Sequence, residues 1–475
     1  MNLPFKKTKI VCTIGPASQS RQTLEQMIRN GMNVARLNFA HGDFESHSEL
    51  IADIRAAAAA AGERVALLAD LPGPKIRMGR IPEEPMELER DQPFTLVSGD
   101  AEGDASRVSI SFDGLPRVVH PGDTIFLNDG LVQLRVEKIE GAAVHCTVMV
   151  AGQLRSQKGV NFPGIDLGIS AFTKRDRECL LFALEQGVDA IGESFVQNPD
   201  DVKALREAAA EAGYDPFVIA KIERSRALEN IDAILHVVDG IMVARGDLGV
   251  EVPVERIAVV QKGLIRKANL LGKPVITATQ MLESMVYNRR PTRAEVTDVS
   301  NAILDGTDCV MLSEESATGL YPIEAVAVMS RVARVTEAHL RAQPVREALV
   351  AAEAEGELSV EDLISLSVHA TTRRLTPTAI VTPTETGATS RRITRFRLPV
   401  WVAAISANES TCQRLQFSYG VYPIYRPAYP DDLGAYARQS LSDLGFTKGL
   451  VILTQGPSPG HRGETNRMEI IDLAK

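Results

Sequence analysis

The chain has 475 residues, of which 44% are hydrophobic and 24% charged, with a formal net charge of −9. At about 100–200 residues per domain this is room for roughly three domains, or for one barrel of about 250 residues with additions. The acidic balance argues against a general nucleic-acid or membrane-surface binder. No apolar run approaches the roughly 20 residues that cross a bilayer, and the start of the chain (MNLPFKK) has no signal-type apolar core. Cys12, Cys146, Cys179, Cys309 and Cys412 are scattered and never paired as Cys-x-x-Cys, which speaks against disulfide frameworks and zinc clusters. The expectation is a soluble cytoplasmic protein.

Short apolar, β-branched runs alternate with amphipathic stretches closed by Gly. The first run is Lys9–Gly15, followed by a helical stretch ending at Gly31; then come Asn33–Phe39, an Ala-rich helix to Gly62, and Val65–Leu71. After a break the pattern resumes at Ser170 and runs through Ala190–Val196, Phe217–Glu223, Gly240–Asp247, Pro274–Gln280 and Cys309–Glu315. Asn198-Pro199 reads as an N-cap with its first-turn proline, and Thr292-x-x-Glu295 as a capping box. Gly187, Gly213, Gly272 and Gly306 fall where left-handed helix stops belong. Near-continuous apolar strands joined by helices imply a parallel sheet buried on both faces. Eight such units predict a (β/α)8 TIM barrel, with a doubly wound open sheet as the competitor. The barrel takes residues 1–71 and 169–343.

The break, residues 72–168, has Gly/Pro/Asp punctuation and short alternating runs at Thr124–Leu127, Val132–Lys138 and Val144–Val150, with a hairpin-type turn at Asn128-Asp129-Gly130. It predicts a small inserted β domain after the third strand, at the catalytic end of the barrel, where it could act as a lid. A polar, Glu/Ala-rich linker follows Gln343. Residues 344–475 then read as a separate α/β domain, with a helix over Val360–Leu375 and strands at Ala379–Thr382, Val400–Ser406, Tyr422–Tyr425 and Leu450–Thr454.

In such barrels the functional side chains sit at the C-terminal ends of the strands. Those ends carry Arg36, Asn38, Asp70, Ser194, Lys221, Glu223, Asp247 and Thr279, an accumulation of charge within otherwise apolar segments. Lys221 and Glu223 are two apart and share one side of their strand. Asp247 ends the neighbouring one. Two carboxylates with positions left for water and substrate oxygens suit Mg²⁺ or Mn²⁺, whereas zinc would want His or Cys. A lysine beside them could neutralise a phosphoryl group or form a Schiff base, and spacing leaves both open. Backbone N–H groups at Gly246 could hold a carboxylate.

Nine segments together resemble the pyruvate kinase family: Thr8–Ser18 (TKIVCTIGPAS), Gly31–Gly42 (GMNVARLNFAHG), Gly73–Gly79 (GPKIRMG), Lys158–Gly164 (KGVNFPG), Lys221–Glu223 (KIE), Met242–Glu251 (MVARGDLGVE), Ala278–Met285 (ATQMLESM), Arg290–Glu295 (RPTRAE) and Asp305–Pro322. The resemblance implies a barrel, a small β-barrel lid after strand three and a C-terminal α/β regulatory domain. It also implies transfer of the phosphoryl group of phosphoenolpyruvate to ADP, giving pyruvate and ATP. By motif position, Glu223 and Asp247 would hold the divalent metal and Lys221 would stabilise the transferring phosphoryl group. Arg36 would bind phosphoryl oxygens, Gly246 and Asp247 the substrate carboxylate, and Thr279 would help bring a proton to the enolate. Asn38, His41, Arg77 and, from the lid, Lys158 match nucleotide-side positions. The turn holding Thr384, Thr386, Gly387, Thr389 and Ser390 matches a loop that binds a phosphorylated regulator in a tetramer. Rival readings are a lyase or aldolase acting on pyruvate enolate, and a catalytically silent metabolite sensor.

The chain departs from the family pattern at four places. Ala40 stands where many members carry Ser, Leu71 where many carry Thr, Lys75 where those same members carry Glu, and Glu314 where a Gly is common. K⁺ in many members is held by oxygens matching Asn38, Asp70, a Ser and a Thr. Loss of two hydroxyls together with the gain of Lys75 resembles the branch that does not require K⁺.

Overall fold

The computed structural model describes residues 3–99, 101–128, 130–340, 343–354, 358–427, 432–456 and 465–474. Eight parallel strands close into a barrel: Lys9–Thr13, Val34–Asn38, Ala66–Asp70, Ala190–Glu193, Val218–Ile222, Gly240–Ala244, Val275–Ala278 and Cys309–Leu312. The first strand pairs with the eighth in the register Lys9↔Cys309, which seals the cylinder and excludes the open sheet. Strand side chains alternate, so one set fills the interior (Val11, Val34, Leu68, Ile219, Met242, Ile276, Met311). The other set (Ile10, Leu37, Ile191, Val243) packs beneath the helices. This double burial is why the strands read as unbroken apolar runs.

Local punctuation behaves as its chemistry requires. Asn198 caps the helix Pro199–Glu211 by accepting from the Asp200 N–H at 2.8 Å, and Thr292 and Glu295 form a reciprocal capping box on Arg293–Leu304. Gly187, Gly213, Gly272 and Gly306 all sit at positive φ, as left-handed helix stops do. Glu314, where a Gly was the common residue, is exposed at the start of the short helix Glu314–Ala317 with φ outside the left-handed region, so the backbone there makes no demand for Gly.

The insertion after strand three is a six-stranded sheet containing Thr124–Leu127, Val132–Glu140 and Ala143–Val150. Its two edges are joined by the chain just beyond the barrel. The Met78 N–H donates to the Lys158 carbonyl at 2.9 Å on one side, and the Gly79 N–H to the Ser109 carbonyl at 2.8 Å on the other. A Cβ on Gly79 would lie 2.0 Å from Ser109 Oγ, so any larger residue there requires the Ser109 side chain to move as the sheet closes into a small barrel. Of the expected hairpin turn, Asn128 and Gly130 take positive φ, and Asp129 lies outside the described residues.

The C-terminal sheet has four parallel strands (Ala379–Pro383, Trp401–Ser406, Val421–Tyr425, Leu450–Gln455) and an antiparallel edge strand, Arg467–Asp472. Two sequence expectations need correcting. The segment after Gln343 is a helix, Gln343–Ala354, rather than a linker, because its Ala and Glu residues are strong helix formers. The edge strand was not foreseen; its composition (RMEIID) is too polar to read as a strand in isolation. The C-terminal domain docks under the barrel, away from the strand C-termini. Arg397 holds Asp308 at 3.0 and 2.9 Å and Asn269 at 2.7 Å, and Lys9 Nζ donates to the Val421 carbonyl at 2.9 Å.

Candidate active site

At the open end of the barrel four side chains alternate in sign. Arg36 Nε lies 2.6 Å from Asp70 Oδ2, Asp70 Oδ1 lies 3.1 Å from Lys221 Nζ, and Lys221 Nζ lies 2.9 Å from Glu223 Oε1. They come from strands two, three and five and the residue just beyond five, which brings groups distant in sequence onto one wall. All are nearly or wholly removed from solvent, so each charge needs its neighbour. Thr13 Oγ1 accepts from Arg36 Nη1 at 2.8 Å, and Ser194 Oγ accepts from Lys221 Nζ at 2.7 Å. Burial works against the charge on Lys221, but the carboxylates of Asp70 and Glu223 outweigh it and hold the ammonium above the ordinary lysine range. For Asp70, burial is outweighed by Arg36 and Lys221, and its carboxyl is held below its usual range. Burial, reinforced by the charge of Asp247, pushes Glu223 upward despite Lys221.

Asp247 and Gly246 are not on strand six, which ends at Ala244. They lie in the first turn of a short helix, Arg245–Glu251, because the strand gives way to it directly. The Gly246 N–H donates to Thr279 Oγ1 at 2.8 Å, and Thr279 Oγ1 in turn donates to the Ala278 carbonyl at 2.7 Å. Thr279 follows strand seven with φ +69, a left-handed conformation that is strained for a β-branched residue. What holds it is Arg245, which donates to the Thr279 carbonyl at 2.7 Å while Asp298 accepts from the same guanidinium at 2.8 Å. Sequence reasoning passed over Arg245, Asp298 and Thr13. Arg245 stood inside a quoted motif, but nothing in its spacing announced that its target was a backbone carbonyl.

The hinge into the lid is equally constrained. A Cβ on Gly73 would meet Phe195 Cδ2 at 2.7 Å, and the Gly73 N–H donates to Asp176 Oδ1 at 2.8 Å. Two residues on, Lys75 Nζ comes within 3.4 Å of Asp247 Oδ1. The remaining expected residues are placed as follows. Asn38 ends strand two and its Oδ1 accepts from the Ala40 N–H at 3.2 Å. His41 is exposed in the following loop, Arg77 Nη1 donates to the Gln157 carbonyl at 3.0 Å, and Lys158 is an exposed lid residue.

No group of three or more His, Cys, Asp or Glu residues suited to a metal occurs among the described residues. The donor set on the wall is instead a pair of carboxylates, Glu223 and Asp247, near enough for the charge of one to raise the other. That set fits Mg²⁺ or Mn²⁺, which are held by one or two carboxylates with the remaining positions left to water and substrate oxygens.

A closed barrel with carboxylates, a charged lysine and an arginine at its mouth, covered by a hinged β domain, defines an enzyme that handles anionic substrates. The model of the pyruvate kinase barrel domain matches residues 5–326 and that of the pyruvate kinase alpha/beta domain residues 362–471. The chain is 45% identical to a pyruvate kinase of Thermococcus litoralis over the whole of both chains. It is 44% identical to one of Bacillus licheniformis, covering 98% of this chain and 80% of that one. Identity to one of Clostridium acetobutylicum is 41%, covering 98% and 99%. The chain belongs to the pyruvate kinase family, and its reaction is transfer of the phosphoryl group of phosphoenolpyruvate to ADP, giving pyruvate and ATP.

Proposed function

We propose that this reaction runs on the wall formed by Arg36, Lys221, Glu223, Asp247 and Thr279. The observation that supports the assignment is the charge-alternating chain from Arg36 to Glu223, which fixes a buried ammonium at the barrel mouth, a group suited to stabilising phosphoryl charge. Arg36, braced by Asp70 and Thr13, binds phosphoryl oxygens. Glu223 and Asp247 would hold Mg²⁺ or Mn²⁺, which supplies charge neutralisation for the group in transfer. The first turn carrying Gly246 and Asp247 receives the substrate carboxylate, and Thr279 Oγ1, fixed beside it, relays a proton to the enolate through water. Asn38, His41, Arg77 and Lys158 take the nucleotide as the lid closes. A coupled assay following pyruvate formed from phosphoenolpyruvate tests the reading: strict dependence on ADP supports it, and ADP-independent release of pyruvate overturns it.

Glu223→Ala is expected to raise the half-saturating Mg²⁺ concentration about tenfold or more, since it deletes one of two protein ligands. An unchanged Mg²⁺ titration would show that the ligand is elsewhere.

The chain works as a tetramer in the cytoplasm on this reading. The turn after Pro383 serves a phosphorylated regulator. Thr384 Oγ1 accepts from the Gly387 N–H at 2.9 Å, Thr386 Oγ1 from the Ala388 N–H at 3.4 Å, and Thr389 pairs with Thr465, whereas the Ser390 hydroxyl is buried against Thr382. Thr384→Ala and Thr389→Ala should therefore abolish activation by sugar or nucleoside phosphates at low phosphoenolpyruvate. Unaltered activation in both variants removes the turn from regulation.

A further inference from the structure

Glu193 is a buried acid that takes no part in the reaction wall. It ends strand four and is 1% exposed. Strand side chains alternate, and Gly192 beside Asp70 and Ser194 on Lys221 face the barrel mouth. Glu193 therefore points outward, beneath the starts of the helices Lys174–Glu185 and Pro199–Glu211 that flank its strand. Among the described residues, neither of its carboxyl oxygens has a hydrogen-bond partner. The side chains facing the same way from the adjoining strands, Ala69 on strand three and Ala220 and Ile222 on strand five, are apolar. The charged groups that face it come from the two helices: Asp176 from the first, Asp201 and Arg206 from the second.

Those two carboxylates hold the chain segments that tether the lid. On the outgoing tether the Gly73 N–H donates to Asp176 Oδ1 at 2.8 Å. On the returning tether the Ala171 N–H donates to Asp201 Oδ1 at 3.3 Å. Each carboxylate is fixed by further backbone donors at its helix start. Asp176 Oδ2 accepts from the Thr173 N–H at 2.9 Å, and Asp201 Oδ2 from the Gln197 and Asn198 N–H groups at 2.9 and 3.2 Å. A helix N-terminus favours such negative charge. Arg206 is engaged elsewhere, donating to Asp239 Oδ2 at 2.6 Å and to the Pro216 carbonyl at 3.3 Å. Both tethers thus end on anions that have a third carboxyl packed between them. Burial, reinforced by the charges of Asp201 and Asp176, pushes Glu193 well above the usual carboxylate range, so it sits there uncharged.

We propose that Glu193 is a pH-sensitive lock on the lid hinge: as a neutral acid it lets Asp176 and Asp201 hold both tethers, and on ionising it loosens them. A charged Glu193 would gather three carboxylates in one water-poor seam whose cation is already engaged. Such a charge is accommodated by admitting water or by parting the two helix starts, and either move draws Asp176 and Asp201 away from the Gly73 and Ala171 amides. Folding keeps on Glu193 a proton that the unfolded chain gives up near about pH 4.3. The stability contributed by this acid is therefore complete below that value and declines as pH rises above it, until Glu193 ionises in the folded protein. The hinge is tight on the acid side and slackens on the alkaline side. The next two residues carry the effect toward the reaction wall, since Ser194 Oγ accepts from Lys221 at 2.7 Å and the Phe195 N–H donates to Glu223 at 2.7 Å.

Hydrogen exchange of the full-length protein tests the proposal, read by mass spectrometry on peptides that cover residues 71–76 and 169–173. Wild type, Glu193→Gln and Glu193→Leu are compared at equal pH, so that the chemical exchange rates cancel. At about pH 6 the three proteins should exchange both peptides within about twofold of one another. At about pH 9.5 the wild type should exchange them at least about 10-fold faster than either variant, because neither variant can acquire the charge. Turnover at neutral pH should stay within about twofold of wild type, which reports that the variants are folded. Glu193→Leu fills the place without a polar atom and decides the matter where the Gln amide disturbs the seam. Equal exchange in wild type and variants at both pH values overturns the proposal. So does a difference already as large at the lower pH, which would make Glu193 a packing residue with no titrating role.

Discussion

Lys221→Met is expected to lower turnover by about 10³-fold while leaving the barrel folded. The ammonium lies within 3.1 Å of Asp70 and 2.9 Å of Glu223 and is held above the ordinary lysine range by them, so it stays charged through the neutral range. A fixed positive charge in a water-poor site, aimed at charge that develops during transfer, is the kind of contribution whose removal costs about 10²–10³ in rate. Here the same group also orders its neighbours. Without it, Asp70 keeps Arg36 at 2.6 Å and Glu223 keeps the Phe195 N–H at 2.7 Å, so both carboxylates retain a partner and the fold survives. The same protonation decides between the two lysine chemistries that spacing left open. A Schiff base needs the free amine, and the surrounding carboxylates disfavour it. Borohydride in the presence of pyruvate should accordingly leave no covalent adduct on Lys221. Near-normal turnover in Lys221→Met, with an unchanged melting temperature, would remove the residue from the reaction; a reduced adduct on Lys221 would revive the aldolase-type reading.

How much of this was legible beforehand depends on the range of the interactions involved. Strand positions and helix stops are local, set by apolar periodicity and by residues such as Gly187 and Thr292. They could be read along the chain. The wall of charge was legible in membership, because Arg36, Asp70, Lys221 and Glu223 interrupt apolar strands, but not in its order. That Asp70 stands between Arg36 and Lys221 follows from the neighbouring registers of strands two and three and from reach across the barrel mouth. Contacts to backbone carbonyls are harder still. Arg245 bracing Thr279 has no sequence signature, since any carbonyl is an equally good acceptor. The same holds for the closure of the small barrel through the chain at Met78 and Gly79. The helix Gln343–Ala354 is hard to read for a different reason: its polarity resembles that of a linker while its local propensity is helical.

The second large effect concerns monovalent cations. Nearly full activity is expected in buffers whose only monovalent cation is a bulky quaternary ammonium. We propose this from the surroundings of Asn38, Asp70 and Lys75. Ala40 and Leu71 bring no hydroxyl to the region. The Leu71 carbonyl, the oxygen that could still have served, accepts from Ser194 Oγ at 2.6 Å. Asn38 Oδ1 accepts from the Ala40 N–H, and both Asp70 oxygens face cationic nitrogens of the protein. K⁺ exchanging its water shell for protein oxygens would therefore have to compete with bonds already made. Lys75, meanwhile, reaches to 3.4 Å from Asp247 and supplies a compact positive charge from the lid hinge. That charge stands beside the carboxylate pair, where negative substrate groups gather, and performs the electrostatic part of a monovalent cation's work without a dissociation step. Lys75→Glu reverses it: in the absence of K⁺ the variant should lose about 10- to 100-fold in turnover, the scale of a lost electrostatic contribution. Added KCl should recover part of that loss. The measurement is turnover against KCl at constant ionic strength in wild type and variant. A large activation of the wild type by KCl would refute the assignment, and so would a Lys75→Glu enzyme as active and as indifferent to K⁺ as its parent, for then the hinge lysine would be no more than a solvated charge.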